Sequence, residues 1–390
     1  MFFFFSMQKI LVYLTVFLDV LWIGILIPAF PELVKVYGVS NDMIARGVTL
    51  YAFCTFFSTP LLGQWSDRFG RKPLLLFCVA GTFLSFLMLL FTHNFWLYLV
   101  ARVINGLTGG NISILQSIIS DISASPEERR KNFGLMGALF GMWFIVGPLL
   151  WSLLLELWVE SIFFFGTFFS FFQTLLIAFF LKETHYDKTH KPITFNSFSL
   201  FARYLANKDI AFLMFSFFLL GLAGFTYQSV FTLFMDQQFQ VSGQQSGYIL
   251  AMIGAILALN QAVLLSQFWL RFFTSRKLIF MLHLALVPLF YWLSLVTDTW
   301  FFIFLLGVAA LFQWLINPLY QAEILEKIDK NYIWELNGVM SWLGSITMFL
   351  WPILWSILLA ARVSVFSLSW FFVLGSLIIL LYHVFFSKRF

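Results

Sequence analysis

Gly63-Gln64-Trp65-Ser66-Asp67-Arg68-Phe69-Gly70-Arg71-Lys72-Pro73 lies between two long apolar runs. The charges of Asp67, Arg68, Arg71 and Lys72 are too costly for hydrocarbon, so the stretch reads as a turn joining two membrane-spanning helices. Gly63 and Gly70 permit a tight turn and close helix approach, and the alternating charges can form a breakable latch. A cluster serving only to set topology would need the basic residues but neither Asp67 nor the glycines.

The rest of the chain agrees with a lipid solvent. Of 390 residues, 61% are hydrophobic and 11% are charged, against roughly a quarter charged in a soluble domain. The 54 phenylalanines are more rings than a soluble protein of this size could hide. A water-soluble enzyme is excluded, and any extramembrane domain must be small. Cys54 and Cys78 both sit in apolar runs, so no disulfide framework is expected. The histidines are scattered: His93 and His383 near helix ends, His185 and His190 in a polar loop, His283 in an apolar run. No metal site, cofactor or catalytic set follows from them.

Apolar stretches predict six spans at about 8 to 31, 44 to 64, 74 to 92, 95 to 118, 133 to 155 and 161 to 181. A charged linker from Lys182 to Asp209 follows. Six more spans are expected at about 210 to 235, 245 to 268, 278 to 296, 300 to 321, 336 to 359 and 364 to 386. The reading is an all-α membrane protein of twelve transmembrane helices: a six-helix bundle over 1–181, a cytoplasmic linker over 182–209 and a second bundle over 210–390. With this division, 19 of the 23 basic residues fall on the side holding both termini, which the positive-inside rule makes cytoplasmic. The first span is read as retained, with Met1 or Met7 as the start.

The halves repeat at an offset near 204 residues. Gly147-Pro148-Leu149-Leu150-Trp151-Ser152-Leu153-Leu154-Leu155 aligns with Trp351-Pro352-Ile353-Leu354-Trp355-Ser356-Ile357-Leu358-Leu359, with six of nine positions identical. Duplicated bundles of this kind carry transport sites between their halves.

The spacing Gly63-x-x-x-Asp67-Arg68-x-Gly70-Arg71-Lys72 resembles the signature loop of the major facilitator superfamily. That resemblance implies the major facilitator fold, two pseudo-symmetric six-helix bundles. It further implies that Asp67 faces the start of the eleventh span, near Glu335 to Asn337, where a helix N-terminus favours a carboxylate, and that Arg71 pairs with Asp121 at the end of the fourth span. The matching loop of the second half, Ser266 to Lys277, keeps its positive charge but lacks the aspartate and glycines, so the latch is expected to be asymmetric.

In the first span, Thr15-Val16-Phe17-Leu18-Asp19 followed by Ile23-Gly24 and Pro28-x-x-Pro31 is similar to drug/proton antiporters of the tetracycline-resistance-like branch. Asp19 lies eleven residues after Gln8, roughly 16 Å into a core about 30 Å thick. A proton-coupling role, with Arg102 as partner, is what the resemblance implies; a hydrogen-bonded aspartate that only fixes packing is the alternative. Arg102, Asn105, Gly106, Gly109, Gly110, Ser113, Gln116 and Ser117 recur at helical spacing as one small, polar stripe. Gly137, Gly141, Gly147 and Pro148 resemble the hinge of exporters, although Trp151-Ser152 replaces the expected glycine pair.

Polar or aromatic side chains in apolar spans, Trp143, Tyr227, Gln228, Asn260, Gln261, Gln313, Asn317 and Tyr320, are candidate substrate contacts, with interhelical hydrogen bonding as the alternative for each. Tetracycline exporters use further membrane acids in spans 3 and 9, where this chain has Leu84, Ser85 and His283. The expected function is proton-coupled export of a small amphipathic or lipophilic compound by an inner-membrane protein; uptake by symport is the alternative. The expected partners are the lipid bilayer, protons and a small-molecule substrate, without nucleic acid, and the chain is expected to act as a monomer.

Overall fold

A computed structural model describes residues 2–26, 29–155, 158, 160–184, 207–229, 231–260, 268–326 and 365–386, with short pieces between 343 and 354. The described chain is helical: α1 Phe2–Leu26, α2 Phe30–Tyr37, α3 Asn41–Phe69, α4 Arg71–Phe91, α5 Phe95–Leu107, α6 Asn111–Asp121, α7 Pro126–Leu155, α8 Ser161–Phe180, α9 Lys208–Ser229, α10 Phe231–Phe239, α11 Gly243–Leu259, α12 Leu270–Phe272, α13 Ser275–Leu295, α14 Thr299–Glu326 and α15 Val365–Phe386. Among the described residues, four helices are long and apolar enough to cross a membrane: Arg71–Phe91, Ser161–Phe180, Ser275–Leu295 and Thr299–Ile316. The span expected at 336–359 and most of the linker at 182–209 fall outside the described residues.

The chain divides into two compact units, Met1–Ile193 with Thr232–Met252, and Thr194–Phe231 with Ile253–Phe390. The segment Thr232–Met252, read from sequence as part of the second bundle, thus groups with the first unit. Within that unit Ser152 on α7 donates to the Gln244 carbonyl oxygen at 3.0 Å.

The first unit has two apolar clusters stacked along its helices. One gathers Val12 and Val16 of α1, Leu75, Cys78 and Val79 of α4, Ile114 and Ile118 of α6, and Ile177 of α8. The other gathers Leu18, Leu21 and Trp22 of α1, Phe86 of α4, Tyr98 and Ala101 of α5, Trp151 of α7 and Phe163 of α8. Asp19, Asn111 and Gln173 fall between these two sets in the register of their helices. Many buried hydroxyls satisfy themselves on carbonyls one turn back, including Thr15 on Leu11, Thr82 on Cys78 and Ser170 on Gly166, as lipid-embedded helices require.

The first expected span, 8 to 31, includes the C-terminal part of α1 and the start of α2, which begins at Phe30 with a proline in its first turn, where a missing N–H costs nothing; residues 27 and 28 between them lie outside the described residues. One expectation needs correction: the fourth span is not one helix. It stops at Leu107 and restarts at Asn111, so the residues read as a single stripe lie on two segments.

This break is supported from outside. Ser58 of α3 donates to the Gly106 carbonyl at 2.7 Å, and Thr59 donates to that of Gly109 at 3.4 Å. Thr108 turns its hydroxyl back onto Ile104 at 2.8 Å. The glycines let α3 approach: a Cβ at Gly106 would lie 2.6 Å from the Tyr51 carbonyl oxygen, and one at Gly110 2.7 Å from Leu62 Cβ. Small residues that admit a neighbouring backbone are the usual basis of membrane-helix packing.

Gly106→Ala should therefore push backbone against backbone and destabilise the first unit by about 1–3 kcal/mol. A lowered thermal midpoint in detergent checks this; an unchanged midpoint would show that α3 and α5 can separate freely.

Candidate functional site

The stretch that opened the sequence reading forms the turn between α3 and α4. Gly70 there has φ 106° and ψ 152°, a conformation essentially restricted to glycine. The Arg71 side chain turns inward and is only 7% exposed. Its Nη1 donates to Ser66 Oγ at 2.7 Å and its Nε to Asp121 Oδ2 at 3.2 Å, and it forms an ion pair with Asp67. Asp67 and Asp121 both lie at helix C-terminal ends, where the helix dipole disfavours negative charge. The buried guanidinium offsets that penalty and ties α3 to α6.

Glu183, just beyond α8, completes the node. Its carboxylate accepts the backbone N–H of Arg71 at 2.9 Å and that of Lys72 at 3.1 Å, satisfying two free donors at the start of α4 where a negative charge is favoured. A Cβ at Gly70 would meet Glu183 Oε2 at 2.5 Å, so the glycine also makes room for the cap. Thr184 Oγ1 donates to Asp121 Oδ2 at 3.3 Å, and Lys72 Nζ to the Ala178 carbonyl at 2.8 Å. Arg68 is exposed, with its guanidinium 5.5 Å from the Phe69 ring centroid. A Cβ at Gly63 would have open space up to Ser113. The expected partner of Asp67 near Glu335 to Asn337 lies outside the described residues.

The structure does not join Asp19 to Arg102. Asp19 Oδ1 accepts from Gln173 Nε2 of α8 at 3.1 Å, and the Asn111 side chain of α6 is its second polar neighbour. Arg102 instead lies over Tyr98, with Cζ 5.1 Å from the ring centroid, a cation–π arrangement. Its Nε and Nη2 are buried without a partner among the described residues, as is Asp19 Oδ2. Tyr51 of α3 is within electrostatic reach of both charged groups.

Several candidate substrate contacts make hydrogen bonds within the second unit, and Gln313 Oε1 is buried without a partner among the described residues. Asn260 Nδ2 donates to the Leu311 carbonyl at 3.3 Å and Asn260 Oδ1 accepts from Trp269 Nε1 at 3.1 Å. Gln313 Nε2 donates to the Leu220 carbonyl at 2.7 Å. The Tyr320 hydroxyl bonds Ser216 Oγ at 2.6 Å, in a network with Ser376 and His283 Nε2. All four members are buried. His283 Nδ1 faces the Ile279 carbonyl at 2.8 Å, so it carries the proton and Nε2 accepts. Trp143 is partly buried on α7, and Gly147 and Pro148 are buried within the same helix. The side chains of Tyr227, Gln228, Gln261 and Asn317, and the hinge positions Gly137 and Gly141, are outside the described set.

Sequence reasoning missed Glu183, which resembles ordinary linker charge, and Gln173, a lone amide among phenylalanines. It also missed Asn111 as a partner of Asp19. An amide at the same depth as the Asp19 carboxylate is the signal that could have found Gln173.

A helical membrane chain with a charge-bonded interhelical turn and a buried carboxylate is built as a membrane transporter. The sequence profile of the Major Facilitator Superfamily matches residues 12–352, and the chain belongs to that superfamily. It is 29% identical over 363 residues to the tetracycline resistance protein, class C, of Escherichia coli, covering 91% of each chain. Among solved structures, it matches the human organic anion transporter TETRAN with TM-score 0.71 and 20% identity, over 96% of this chain and 99% of that one. It matches the nucleoside transporter NupG with TM-score 0.74 and 14% identity, over 99% and 100%. These two likenesses establish the fold alone.

Two outcomes follow. Glu183→Ala should cost about 1.5–3 kcal/mol of protection at the Arg71 and Lys72 amides, seen as faster hydrogen exchange confined to the α3–α4 turn. Tyr320→Phe should lower the thermal midpoint by the equivalent of about 1 kcal/mol with unchanged substrate affinity; a weakened affinity would return Tyr320 to the binding set.

Proposed function

We propose that this transporter exports a small amphipathic or lipophilic compound in exchange for protons, by alternating access. The observation that carries the reading is Asp19: a carboxylate between two apolar clusters, with one oxygen on Gln173 and the other unpartnered, in a chain similar over nine-tenths of its length to a tetracycline resistance protein. A proton arriving from outside binds Asp19 Oδ2 and cancels its charge, which changes the free energy of the bundle by more than any apolar contact could. Arg102, with donors unmet in the same bundle, is the group whose attraction to Asp19 that proton would weaken. Arg71, with Asp67, Asp121 and Glu183, would hold the cytoplasmic side, and its exposed acids make that hold breakable. The protein is assigned to the cytoplasmic, or inner, membrane with both termini inside, on the distribution of basic residues. Drug resistance is the physiological outcome this reading favours.

Uptake by proton symport is a second reading, favoured by Trp151-Ser152 in place of the glycine pair of exporters. An inward-directed proton gradient separates the two in proteoliposomes of known orientation, since symport fills the vesicle with substrate and antiport empties it.

Asp19→Asn should reduce gradient-driven transport to background while substrate exchange without a gradient, and the elution profile of the protein, stay normal. Full gradient-driven transport in that variant would remove Asp19 from coupling.

A further inference from the structure

Among the buried oxygens of the first unit without a partner in the described residues are three on carboxylate or amide groups: Asp19 Oδ2, Asn111 Oδ1 and Gln173 Oε1. Asn111 is 8% exposed and Gln173 is 1% exposed. They belong to one cluster, because Gln173 Nε2 is 3.1 Å from Asp19 Oδ1 and also reaches the Thr15 carbonyl at 3.4 Å, while Asn111 lies against the same carboxylate. These three atoms are acceptors. Such groups cost about 1–3 kcal/mol each when left unsatisfied.

The backbone beside them is also irregular. Asn111 begins the second segment of the broken fourth span, and the first segment ends at Leu107. Among the described residues, no backbone hydrogen bond joins the Leu107 or Thr108 carbonyl to the amides of α6. Discontinuous membrane helices that present loose carbonyls next to buried acids are a recurrent way of holding alkali cations.

Charge and valence narrow the occupant. Protonating Asp19 turns Oδ2 into a donor for one amide oxygen and leaves the other unmet. A water molecule supplies two donors but no charge to neutralise the carboxylate, and Arg102 lies over the Tyr98 ring without a hydrogen bond to Asp19. A divalent ion would leave a net positive charge in an apolar bundle, and no cluster of three His, Cys, Asp or Glu among the described residues could hold one. A hard monovalent cation neutralises the single carboxylate and takes oxygen ligands without further donors.

We infer that the break in the fourth span, together with Asp19, Asn111 and Gln173, forms a binding site for a sodium ion. The inference rests on the reading of Asp19 as the coupling group and deepens it: sodium and the proton compete for one carboxylate. The titratable neighbours that sense its charge are Tyr51 from α3 and Cys78 from α4. The other partners, Gln173 from α8 and Asn111 from α6, are neutral amides.

The test is radioactive sodium binding to the purified full-length protein in nanodiscs at pH 8, with potassium and choline as competitors. Saturable binding should weaken about tenfold per unit as pH falls through the titration of the site. It should disappear in Asp19→Asn and weaken at least about tenfold in Gln173→Leu, both monodisperse on elution; if Asp19→Asn fails to fold, Gln173→Leu decides. Absence of binding in the unaltered protein, equal displacement by potassium or choline, or unchanged binding in a folded variant overturns the site. Gradient-driven transport with choline as the other cation separates the two claims. Transport there without sodium binding removes the site and leaves proton coupling, whereas sodium binding without such transport keeps the site and removes proton coupling.

Discussion

A carboxylate between two apolar layers is the constraint around which the first unit is arranged. Asp19 sits in register between the cluster containing Val16 and Ile177 and the one containing Trp22 and Phe163. A charge in such a place costs several kcal/mol unless it is neutralised or hydrogen-bonded. The chain brings two amides to it from helices distant in sequence, Gln173 on α8 and Asn111 on α6. Neither carries charge, so the carboxylate is oriented without being locked into an ion pair. That distinction separates a group that can change its occupant from one that serves only as packing.

The break in the fourth span follows from the same need. A continuous helix would bond its own carbonyls and, at about 100° per residue, fix Asn111 on the face opposite Arg102. Stopping at Leu107 and restarting at Asn111 frees that register, and the exposed backbone of the turn is served by Ser58 and Thr59 rather than by water. Close approach of α3 is what puts those hydroxyls within reach, and that approach depends on the missing side chain of Gly106. Glycine here serves packing first and flexibility second.

These features differ in how far they were legible in the sequence. The helical membrane fold follows from composition and apolar run length, because hydrocarbon leaves the backbone few alternatives. Asp19 was visible because an acid in an apolar run is rarely neutral to function. The pairing of Arg71 with Asp121 was available only through family resemblance, since they are fifty residues apart and nothing local links them. Glu183 was hidden by its surroundings, where a linker rich in charge makes one capping carboxylate look like any other. The periodicity of Arg102, Asn105, Gly106, Gly109 and Gly110 concealed the break, because small polar residues at helical spacing look the same on one helix or on two. Asn260, Gln313 and Tyr320 show the converse ambiguity. Polarity in an apolar span signals a hydrogen bond but does not say whether the partner is a ligand or a neighbouring helix.

Arg71 and Arg102, both buried, show how the same residue type is put to different ends. Arg71 is ringed by acceptors: two carboxylates and a serine hydroxyl meet its guanidinium, at a turn where water reaches the acids. Its energy is lowest where it is, and moving α6 away from α3 means separating opposite charges. Arg102 is as deeply buried, yet it rests on a tyrosine face with Nε and Nη2 unmatched. In the same unit Asp19 holds an unmatched oxygen of the opposite sign, with Tyr51 sensing both charges. One arginine therefore stabilises the arrangement described here, while the other raises its energy relative to any arrangement in which its donors are met. A protein that must move between states of nearly equal energy needs both kinds of interaction, because a bundle with every buried charge satisfied in one state would have no reason to leave it.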